Sequence, residues 1–280
     1  MNILFSILLP TYKRWYLKEC IDSILGQTYP NWELIIVNDA SPEDIDSVIE
    51  SYTDSRIQYY KNEHNFGAKR LVEQWNYCLS LAKGEYVLCI GDDDRLMPNC
   101  LEQYAQLITE NPHIELLHGQ TDIINEYGII EQHLVPRPKW ESAMSLMYHR
   151  VFEHRAQFIG DFCFQRKALL AKGGFYNLQY AWGSDDISAL QTAEVHGVLN
   201  TKEVVFNYRN HAGSITSHAH VFGKIKAILQ EARWYRKFLQ HPTNNAQDEL
   251  YRAKLKRNLL IHTLRKCYYV ILNAYSATNK

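Results

Sequence analysis

Residues 85–94 read Glu-Tyr-Val-Leu-Cys-Ile-Gly-Asp-Asp-Asp, so an apolar run ends in three consecutive carboxylates. A short continuous apolar run predicts a buried β-strand. Two earlier runs have the same form: residues 5–9 stop at Pro10, and residues 32–37 stop at Asn38-Asp39. Near-continuous apolar strands are typical of a parallel sheet that is covered on both faces.

The segments between these strands have helical spacing. Apolar residues recur every three or four positions over residues 17–25 and 71–82, and Gly84 is expected to end the second of these helices. Ser41 followed by Pro42 predicts the start of another helix, because serine caps helices and proline suits the first turn. The alternation predicts an α/β fold, with a Rossmann-like, mostly parallel sheet and helices on both faces.

The composition indicates a globular protein. The 280 residues are 46% hydrophobic and 22% charged with a formal net charge of −1, and such a chain is too apolar to stay disordered. No apolar run approaches the ~20 residues that span a bilayer, and the run over residues 3–9 has no basic flank and is not expected to be a signal peptide. The six cysteines form no CxxC motif, so we expect free thiols and a cytoplasmic, reducing location.

Polar residues follow three of the predicted strands. Ligands of such sheets bind at the carboxyl ends of the strands, where Thr11-Tyr12, Asp39 and Asp92–Asp94 are expected to meet. The chain has no GxGxxG motif after the first strand and no GxxxxGK(S/T) motif. These absences argue against a dinucleotide-dependent oxidoreductase and a P-loop NTPase.

The three aspartates allow two interpretations. Adjacent carboxylates repel one another unless a cation or hydrogen-bond donors compensate them, and Mg²⁺ prefers one or two carboxylates together with substrate phosphates. The alternative is a solvated acidic turn, for which Gly91-Asp92 is well suited. Asp39 also allows two interpretations. It could accept hydrogen bonds from a nucleotide, or it could cap the turn before Ser41.

Four segments resemble glycosyltransferase family 2, in the order of that family's motifs. They are Phe-Ser-Ile-Leu-Leu-Pro-Thr-Tyr (5–12), Cys-Ile-Asp-Ser-Ile-Leu-Gly-Gln-Thr-Tyr (20–29), Glu-Leu-Ile-Ile-Val-Asn-Asp (33–39) and Gly-Asp-Asp-Asp (91–94). The resemblance extends over roughly residues 3–216. It implies the GT-A fold and the transfer of a sugar with inversion of configuration.

For the donor side, the resemblance implies a nucleotide site and a metal site. The implied nucleotide-binding residues are Pro10, Thr11, Tyr12, Asp39 and Asp92, with Asp92 near the ribose. The implied holders of Mn²⁺ or Mg²⁺ are Asp93, Asp94 and His211, and Arg209 and Ser214 would lie near the diphosphate. Gly91 stands where the family most often has an aspartate. His211 also allows the reading of an ordinary hydrogen-bonded histidine.

For the acceptor side, the relevant segment is Trp-Gly-Ser-Asp-Asp at 182–186. The family has a Glu-Asp pair at this place, which implies that Asp186 is the base and that Asp185 replaces the usual glutamate. The expected contacts of Trp182 and Asp185 are with the acceptor or the diphosphate. From the residues alone, Ser184 or Asp185 also suits the cap of the helix that follows.

The resemblance implies a metal-dependent, inverting glycosyltransferase. Its donor would be a nucleotide-sugar, with a UDP-sugar expected, and its acceptor a hydroxyl of a saccharide or a lipid-linked saccharide in surface polysaccharide biosynthesis. Two alternatives stay open. A nucleotidyltransferase uses similar carboxylate and metal chemistry, although Lys13-Arg14 is a weak substitute for its glycine-rich basic loop. The other is a protein that binds a nucleotide-sugar without catalysis.

Charge is distributed unevenly along the chain. Residues 1–220 carry a net charge of −10 and residues 221–280 a net charge of +9. We therefore expect a GT-A catalytic domain over 1–220 and a basic helical C-terminal extension over 221–280, with helices over 221–239 and 248–274. The extension either packs on the catalytic domain or makes a peripheral contact with anionic lipid at the inner face of the membrane. No nucleic-acid-binding motif accompanies the positive charge.

Overall fold

The computed structural model describes residues 2–213, 220–243 and 245–278, with side chains as far as residue 272. The strands are β1 (Phe5–Thr11), β2 (Trp32–Asn38), β3 (Ile57–Lys61), β4 (Tyr86–Cys89), β5 (Arg95–Leu96), β6 (Leu116–Ile124), β7 (Ile130–His133), β8 (Trp140–Glu141), β9 (Phe162–Gln165) and β10 (Val198–Arg209). The α-helices are α1 (Leu17–Leu25), α2 (Asp46–Ile49), α3 (Leu71–Leu81), α4 (Cys100–Glu110), α5 (Ala143–Phe152), α6 (Arg166–Ala171), α7 (Ser184–Thr192), α8 (Val221–Phe238) and α9 (Ala246–Thr278).

The described strands form one mixed sheet in the order β3-β2-β1-β4-β9-β6-β10-β5. Strands β3, β2, β1 and β4 are mutually parallel, as are β6 and β10. Strand β9 runs antiparallel to both β4 and β6, and β5, β7 and β8 are antiparallel additions at the margins. The predicted α/β fold is confirmed, with the parallel pairing concentrated in the first four strands.

The two faces of the sheet are buried by different helices. In β1, Leu8 faces a cluster that includes Trp75 of α3 and Ile187 of α7. Its neighbours Ile7 and Leu9 face the opposite cluster, which includes Ile21 of α1 and other residues of α1 and α4. Because side chains alternate along a strand, the near-continuous apolar strand is what a sheet with helices on both faces requires.

Three predicted helix ends differ from the structure. The helix expected at Ser41-Pro42 begins only at Asp46, because the Ser41 hydroxyl donates to the Tyr12 carbonyl and accepts from Glu43 N–H. Helix α3 ends at Leu81, since Ala82 is already extended, and Gly84 instead donates its N–H to Ser6 Oγ. Neither Ser184 nor Asp185 caps α7. The N-cap position is Gly183, in the left-handed region at φ 86°.

Helices α8 and α9 lie close to the predicted spans and pack together on the rest of the molecule. Leu255 and Leu259 of α9 belong to the same buried cluster as the residues of α5 and α7. The ring of Tyr251 stacks on that of Tyr148 in α5, with centroids 4.2 Å apart. Within the described part of the chain, no helix is both long and apolar enough to cross a membrane. All six cysteines are free, as predicted.

We expect Leu255→Ala to lower the free energy of unfolding by about 2–5 kcal/mol, because it removes a buried side chain from the shared core. Leu260→Ala is the matched control, since Leu260 is 66% exposed on the same helix. Urea denaturation monitored by circular dichroism measures both changes. Equal, small effects for the two variants would contradict a core that continues into α9.

Candidate active site

The carboxyl ends of β2, β1 and β4 form one edge of the sheet. Because β1 pairs with β2 on one side and with β4 on the other, Thr11, Asp39 and the 91–94 segment are brought together there. Pro10 lies within β1 opposite Val37, and the ring of Tyr12 is 40% exposed just beyond the strand. The predicted convergence of polar residues at this edge is therefore present.

Asp92 anchors the loop that follows β1. Its Oδ2 accepts hydrogen bonds from Thr11 Oγ1 at 3.0 Å, from Tyr12 N at 2.8 Å and from Lys13 N at 2.9 Å. Burial and the charge of Asp93 raise the pKa of Asp92 despite these donors. The carboxylate thus fixes the Thr11 hydroxyl and the backbone of Tyr12 and Lys13.

Asp39 anchors a second loop, over residues 62–67. Its Oδ1 accepts from Asn62 Nδ2 at 2.8 Å and from Phe66 N at 2.9 Å, and its Oδ2 accepts from Gly67 N at 3.2 Å. The turn before Ser41 is held by Asn38 instead, whose Oδ1 accepts from Ser41 N. Asp39 is therefore not the cap of that turn.

Asp93 and His211 face each other. His211 Nε2 lies 2.8 Å from Asp93 Oδ2, and the imidazole is almost fully buried beside the ring of Tyr16. The Asp93 carboxylate is about a quarter exposed. A carboxylate and an imidazole at this distance are a donor pair that suits Mn²⁺.

Asp94 is turned toward the end of β10. Its Oδ1 accepts the backbone N–H of Arg209 at 2.8 Å, and burial together with the charge of Asp93 raises its pKa. Arg209 is also buried, donates Nε to the Asp93 carbonyl at 2.7 Å and ion-pairs with Glu19 at 2.7 Å. Of the three residues expected at the metal, Asp93 and His211 are in contact, whereas Asp94 holds β10 in place.

The acidic pair at the start of α7 is asymmetric. Asp186 is 2% exposed, and its Oδ1 accepts from Gln157 Nε2 at 2.6 Å and from Arg150 Nε at 3.0 Å. Burial alone would raise the pKa of Asp186, but the charges of Arg150 and Lys266 and the hydrogen bonds from Gln157 and Arg150 hold it below its ordinary value.

The surroundings of Asp185 differ from those of Asp186. It is half-buried, and its pKa is raised by the loss of solvent and by the charge of Asp186. Burial, and then the negative charges of Asp94, Asp93 and Asp185, raise the pKa of the Tyr208 phenol. Trp182 is half-buried against the core, with the Lys224 ammonium 4.7 Å from the centre of its ring. Ser214 lies outside the described residues.

Comparison of the sequence with a family model identifies the family of this chain. The sequence model of glycosyl transferase family 2 matches residues 6–174, which is more than half of the chain. The chain belongs to glycosyltransferase family 2. The matched segment contains the loop after β1, Asp39 and all three aspartates that follow β4.

Several curated members of family 2 are similar to this chain. A UDP-Glc:alpha-D-GlcNAc-diphosphoundecaprenol beta-1,3-glucosyltransferase of Escherichia coli, WfgD, is 31% identical over 49% of this chain and 53% of its own length. WcaA of Escherichia coli K12, whose name refers to colanic acid biosynthesis, is 40% identical over 39% of this chain and 40% of its own length. The chain thus spans about half or less of the length of these relatives.

Solved structures show the family's fold. The 1–349 fragment of Staphylococcus aureus TarS in complex with UDP-GlcNAc has a TM-score of 0.69 at 18% identity and covers 91% of this chain and 72% of its own. The mannosyltransferase PcManGT of Pyrobaculum calidifontis, in complex with GDP-Man and Mn²⁺, has a TM-score of 0.60 at 17% identity, over 99% and 75%. The GT-A fold expected from the resemblance is confirmed.

The departure from the commonest family 2 motif at Gly91 has a structural reason. A Cβ at this position would lie 2.6 Å from Asp93 Oδ1 and 3.1 Å from Asp94 Oδ2. Both contacts are with the far ends of flexible side chains, so a larger residue here would require the Asp93 carboxylate to shift and the Asp94 carboxylate to adjust slightly. The glycine therefore leaves room for the Asp93 carboxylate in the position where it contacts His211.

The residues that hydrogen-bond to Asp186 and Asp39 were not predicted from the sequence. Arg150 and Gln157, which hold Asp186, lie in a part of the chain with no motif, as does Asn62, which holds Asp39. Glu19, the partner of Arg209, is on α1, almost two hundred residues away. Arg150 lies in the last turn of a mostly apolar helix, where a basic residue is also typical of an ordinary solvated helix end.

The two aspartates of the acidic pair should affect stability with opposite dependence on pH. The lowered pKa of Asp186 means that its ion pair stabilises the fold at neutral pH and that this contribution is lost as the pH falls through the folded-state value. Asp186→Asn should therefore cost about 3–5 kcal/mol at pH 7 and less below about pH 4. Urea denaturation across this pH range measures the difference.

Asp185→Asn serves as the matched comparison. Because the pKa of Asp185 is raised, its ionised form opposes folding, so this variant should gain stability relative to wild type as the pH rises from acid to neutral. The same sign of pH dependence for both variants would contradict the asymmetry of the pair.

Proposed function

We propose that this protein transfers a sugar from a nucleotide-sugar donor to an acceptor hydroxyl by a single displacement with inversion. The observation that carries the proposal is the contact between Asp93 and His211 at the carboxyl edge of β4, next to the anchored loop after β1. A cation held by this pair would stabilise charge on a nucleotide diphosphate bound at the same edge of the sheet.

In this proposal the nucleotide lies across the ends of β1 and β2. Thr11 and the exposed side chain of Tyr12 offer a hydroxyl and an aromatic face, and the Asp92 carboxylate accepts from the Thr11 hydroxyl and from the Tyr12 backbone N–H. Asp39 keeps the 62–67 loop against the same edge. Pro10 contributes a fixed backbone angle at the end of β1.

The residues present fit a divalent cation. Asp93 and His211 supply two ligands of the kind that Mn²⁺ and Mg²⁺ accept, and phosphate oxygens commonly complete such a shell. Within the described residues, no group of three or more acidic, histidine or cysteine side chains is placed so that it could hold a metal ion by itself. When bound, the ion would neutralise charge on the leaving diphosphate. Arg209 would keep Asp93 and Asp94 oriented around it.

The acceptor would enter between the aspartates after β4 and the acidic pair of α7. The pair offers a carboxylate for the proton of the acceptor hydroxyl, a contribution of about 10²–10⁴-fold in rate. Trp182 would border the acceptor, as aromatic side chains suit the apolar faces of sugar rings. No covalent intermediate is required, because the hydroxyl displaces the diphosphate directly.

UDP-sugar use and surface polysaccharide assembly are supported by the named relatives. WfgD is named for UDP-Glc and a diphosphoundecaprenol acceptor, WcaA for colanic acid, and the TarS fragment is in complex with UDP-GlcNAc. We therefore propose a UDP-sugar donor and a saccharide or lipid-linked saccharide acceptor.

Binding of UDP should depend on the cation and on Asp93. We expect wild-type protein to bind UDP in the presence of Mn²⁺ and to release UDP from UDP-glucose or UDP-GlcNAc, with EDTA abolishing both. Asp93→Asn should reduce turnover at least 10²-fold, because a ligand charge is removed. Isothermal titration calorimetry and a UDP-release assay measure these effects.

Asp54→Asn is the control, since Asp54 ion-pairs with Arg56 beside the amino end of β3, at the opposite edge of the sheet. Its turnover should equal that of wild type. Release of pyrophosphate from a nucleoside triphosphate would indicate a nucleotidyltransferase instead. Tight UDP binding without turnover of any nucleotide-sugar would indicate a binding protein.

We also propose that α9 contacts an anionic membrane surface peripherally. Large apolar side chains on the helix are about half exposed or more, including Leu260, Ile261, Leu264 and Tyr268. They alternate with exposed Lys254, Arg257 and Arg265. Residues 250–280 contain seven basic and no acidic residues, so the surface complements anionic lipid, at about 1 kcal/mol per basic residue near the membrane.

The protein should sediment with vesicles that contain phosphatidylglycerol and much less with pure phosphatidylcholine. The double variant Leu264→Glu/Tyr268→Glu should sediment at least tenfold less, because it adds negative charge to the contact and removes apolar area. Val135→Glu is the control, since Val135 is 80% exposed and lies outside α8 and α9. Equal sedimentation with both lipids, or none with either, would contradict the proposal.

A further inference from the structure

Helices α8 and α9 enclose a groove between them. Its volume is about 660 Å³, within the range of about 300–1,000 Å³ that is usual for sites that bind small molecules. The lining comes from residues 229–240 of α8 and 256–263 of α9. None of the lining residues belongs to the strand edge or to the acidic pair of α7, so the groove is separate from the candidate active site.

The floor of the groove is apolar. Leu239 and Leu259 are almost fully buried and belong to the core shared with α5 and α7. The hydroxyl of Thr263 donates to the Leu259 carbonyl at 2.8 Å, so it needs no partner from the groove. Leu229 and Leu260, which also line the groove, are 55% and 66% exposed. A hydrocarbon chain in the groove would remove these two leucines from water, which is favourable.

Three cations border this apolar surface. Arg233 and Arg236 of α8 and Lys256 of α9 line the groove and are exposed to solvent. In the described part of the chain, none of the three forms an ion pair or a side-chain hydrogen bond, and the groove has no acidic residue in its lining. Arg252 of α9 differs, because it is ion-paired with Glu249 at 2.6 Å. The groove therefore combines a hydrocarbon surface with uncompensated positive charge.

Arg233 and Arg236 are suited to bind one anion together. Side chains three residues apart on a helix are neighbours, with Cβ atoms about 5–6 Å apart, and like charges at such spacings repel each other. An anion that contacts both guanidinium groups would remove this repulsion. Phosphate is the anion favoured, since arginine donates paired hydrogen bonds to phosphate oxygens.

We propose that the groove between α8 and α9 binds a single lipid with a phosphate headgroup. The hydrocarbon chain lies on the leucine floor, and Arg233, Arg236 and Lys256 hold the phosphate. The inference deepens the proposed membrane contact of α9 and rests on it only for the source of the lipid. A peripheral contact needs no more than an anionic surface, whereas this site takes one molecule at a defined place.

A second copy of this chain is the other occupant that would cover the exposed leucines. Residues 221–280 carry a net charge of +9, so two copies that met through this surface would bring like charges together. A lipid phosphate compensates the same charge. The charge of the C-terminal helices therefore favours the lipid over the dimer.

The test is isothermal titration calorimetry with dodecyl phosphate below its critical micelle concentration, beside dodecyl maltoside and inorganic phosphate. Wild-type protein should bind one dodecyl phosphate, and should bind the other two at least about tenfold more weakly, because each offers only half of the recognised chemistry. Arg233→Ala/Arg236→Ala should weaken binding of dodecyl phosphate at least about tenfold. Ala232→Trp should have a similar effect, because it places a large side chain in the groove.

Lys237→Ala/Arg257→Ala is the matched control. Both residues are exposed on the same two helices and lie outside the groove lining, so the variant removes as much charge as the arginine variant does. Its affinity for dodecyl phosphate should stay within about twofold of wild type, because exposed charges away from the site are screened by salt. Circular dichroism checks that each variant folds, and if Ala232→Trp does not, the two double variants decide.

Equal losses in the arginine variant and its control would overturn the inference, as would equal binding of dodecyl maltoside or of inorganic phosphate. A dimer in sedimentation velocity that Ala232→Trp dissociates would assign the groove to a second copy and overturn it as well. Sedimentation with anionic vesicles but no binding of dodecyl phosphate would overturn the groove site and leave the peripheral contact of α9 in place. Loss of both would contradict that contact too.

Discussion

The parallel pairing of β2, β1 and β4 brings negative charge to one edge of the sheet, and the surrounding structure compensates that charge. Each carboxylate there is met by donors from a different segment. Asp92 fixes residues 11–13, Asp39 fixes residues 62–67, and Asp94 receives the backbone of Arg209 from the end of β10. The acids that a substrate site would use are therefore also the anchors of the loops that form it. Asp93 differs, because its carboxylate is left to face His211.

A second compensated charge lies behind the acidic pair of α7. The Arg150–Asp186 pair is adjacent to the Lys266–Glu231 pair, so basic residues of α5 and α9 stabilise acidic residues of α7 and α8. Gly183 packs against the same group, since a Cβ there would lie 2.7 Å from Glu231 Oε1. The basic residues of the C-terminal helices therefore fall into two groups. Lys266 pairs with Glu231 and its charge acts on Asp186, whereas Lys254, Arg257 and Arg265 are exposed to solvent.

Structural features that depend only on neighbouring residues could be predicted from the sequence. Near-continuous apolar runs predicted β1, β2 and β4, and the strand ends located the aspartate cluster. Helix ends were predicted less well, because the choice of cap depends on distant partners: the Ser41 hydroxyl is taken by Tyr12, and Gly183 replaces Ser184 at the start of α7. The partners of Asp186 and Asp39 were not predictable, since Arg150, Gln157 and Asn62 reach the site only through tertiary packing.

We propose that Asp93 and His211 hold a cation at the edge of β4, beside a nucleotide on the loop after β1. Anomalous diffraction from crystals grown with Mn²⁺ and UDP tests this most directly. We expect an anomalous peak within ligating distance of Asp93 and His211 Nε2, with UDP density over residues 10–12. A peak at Asp185 and Asp186, or ordered UDP without a cation at Asp93, would contradict it.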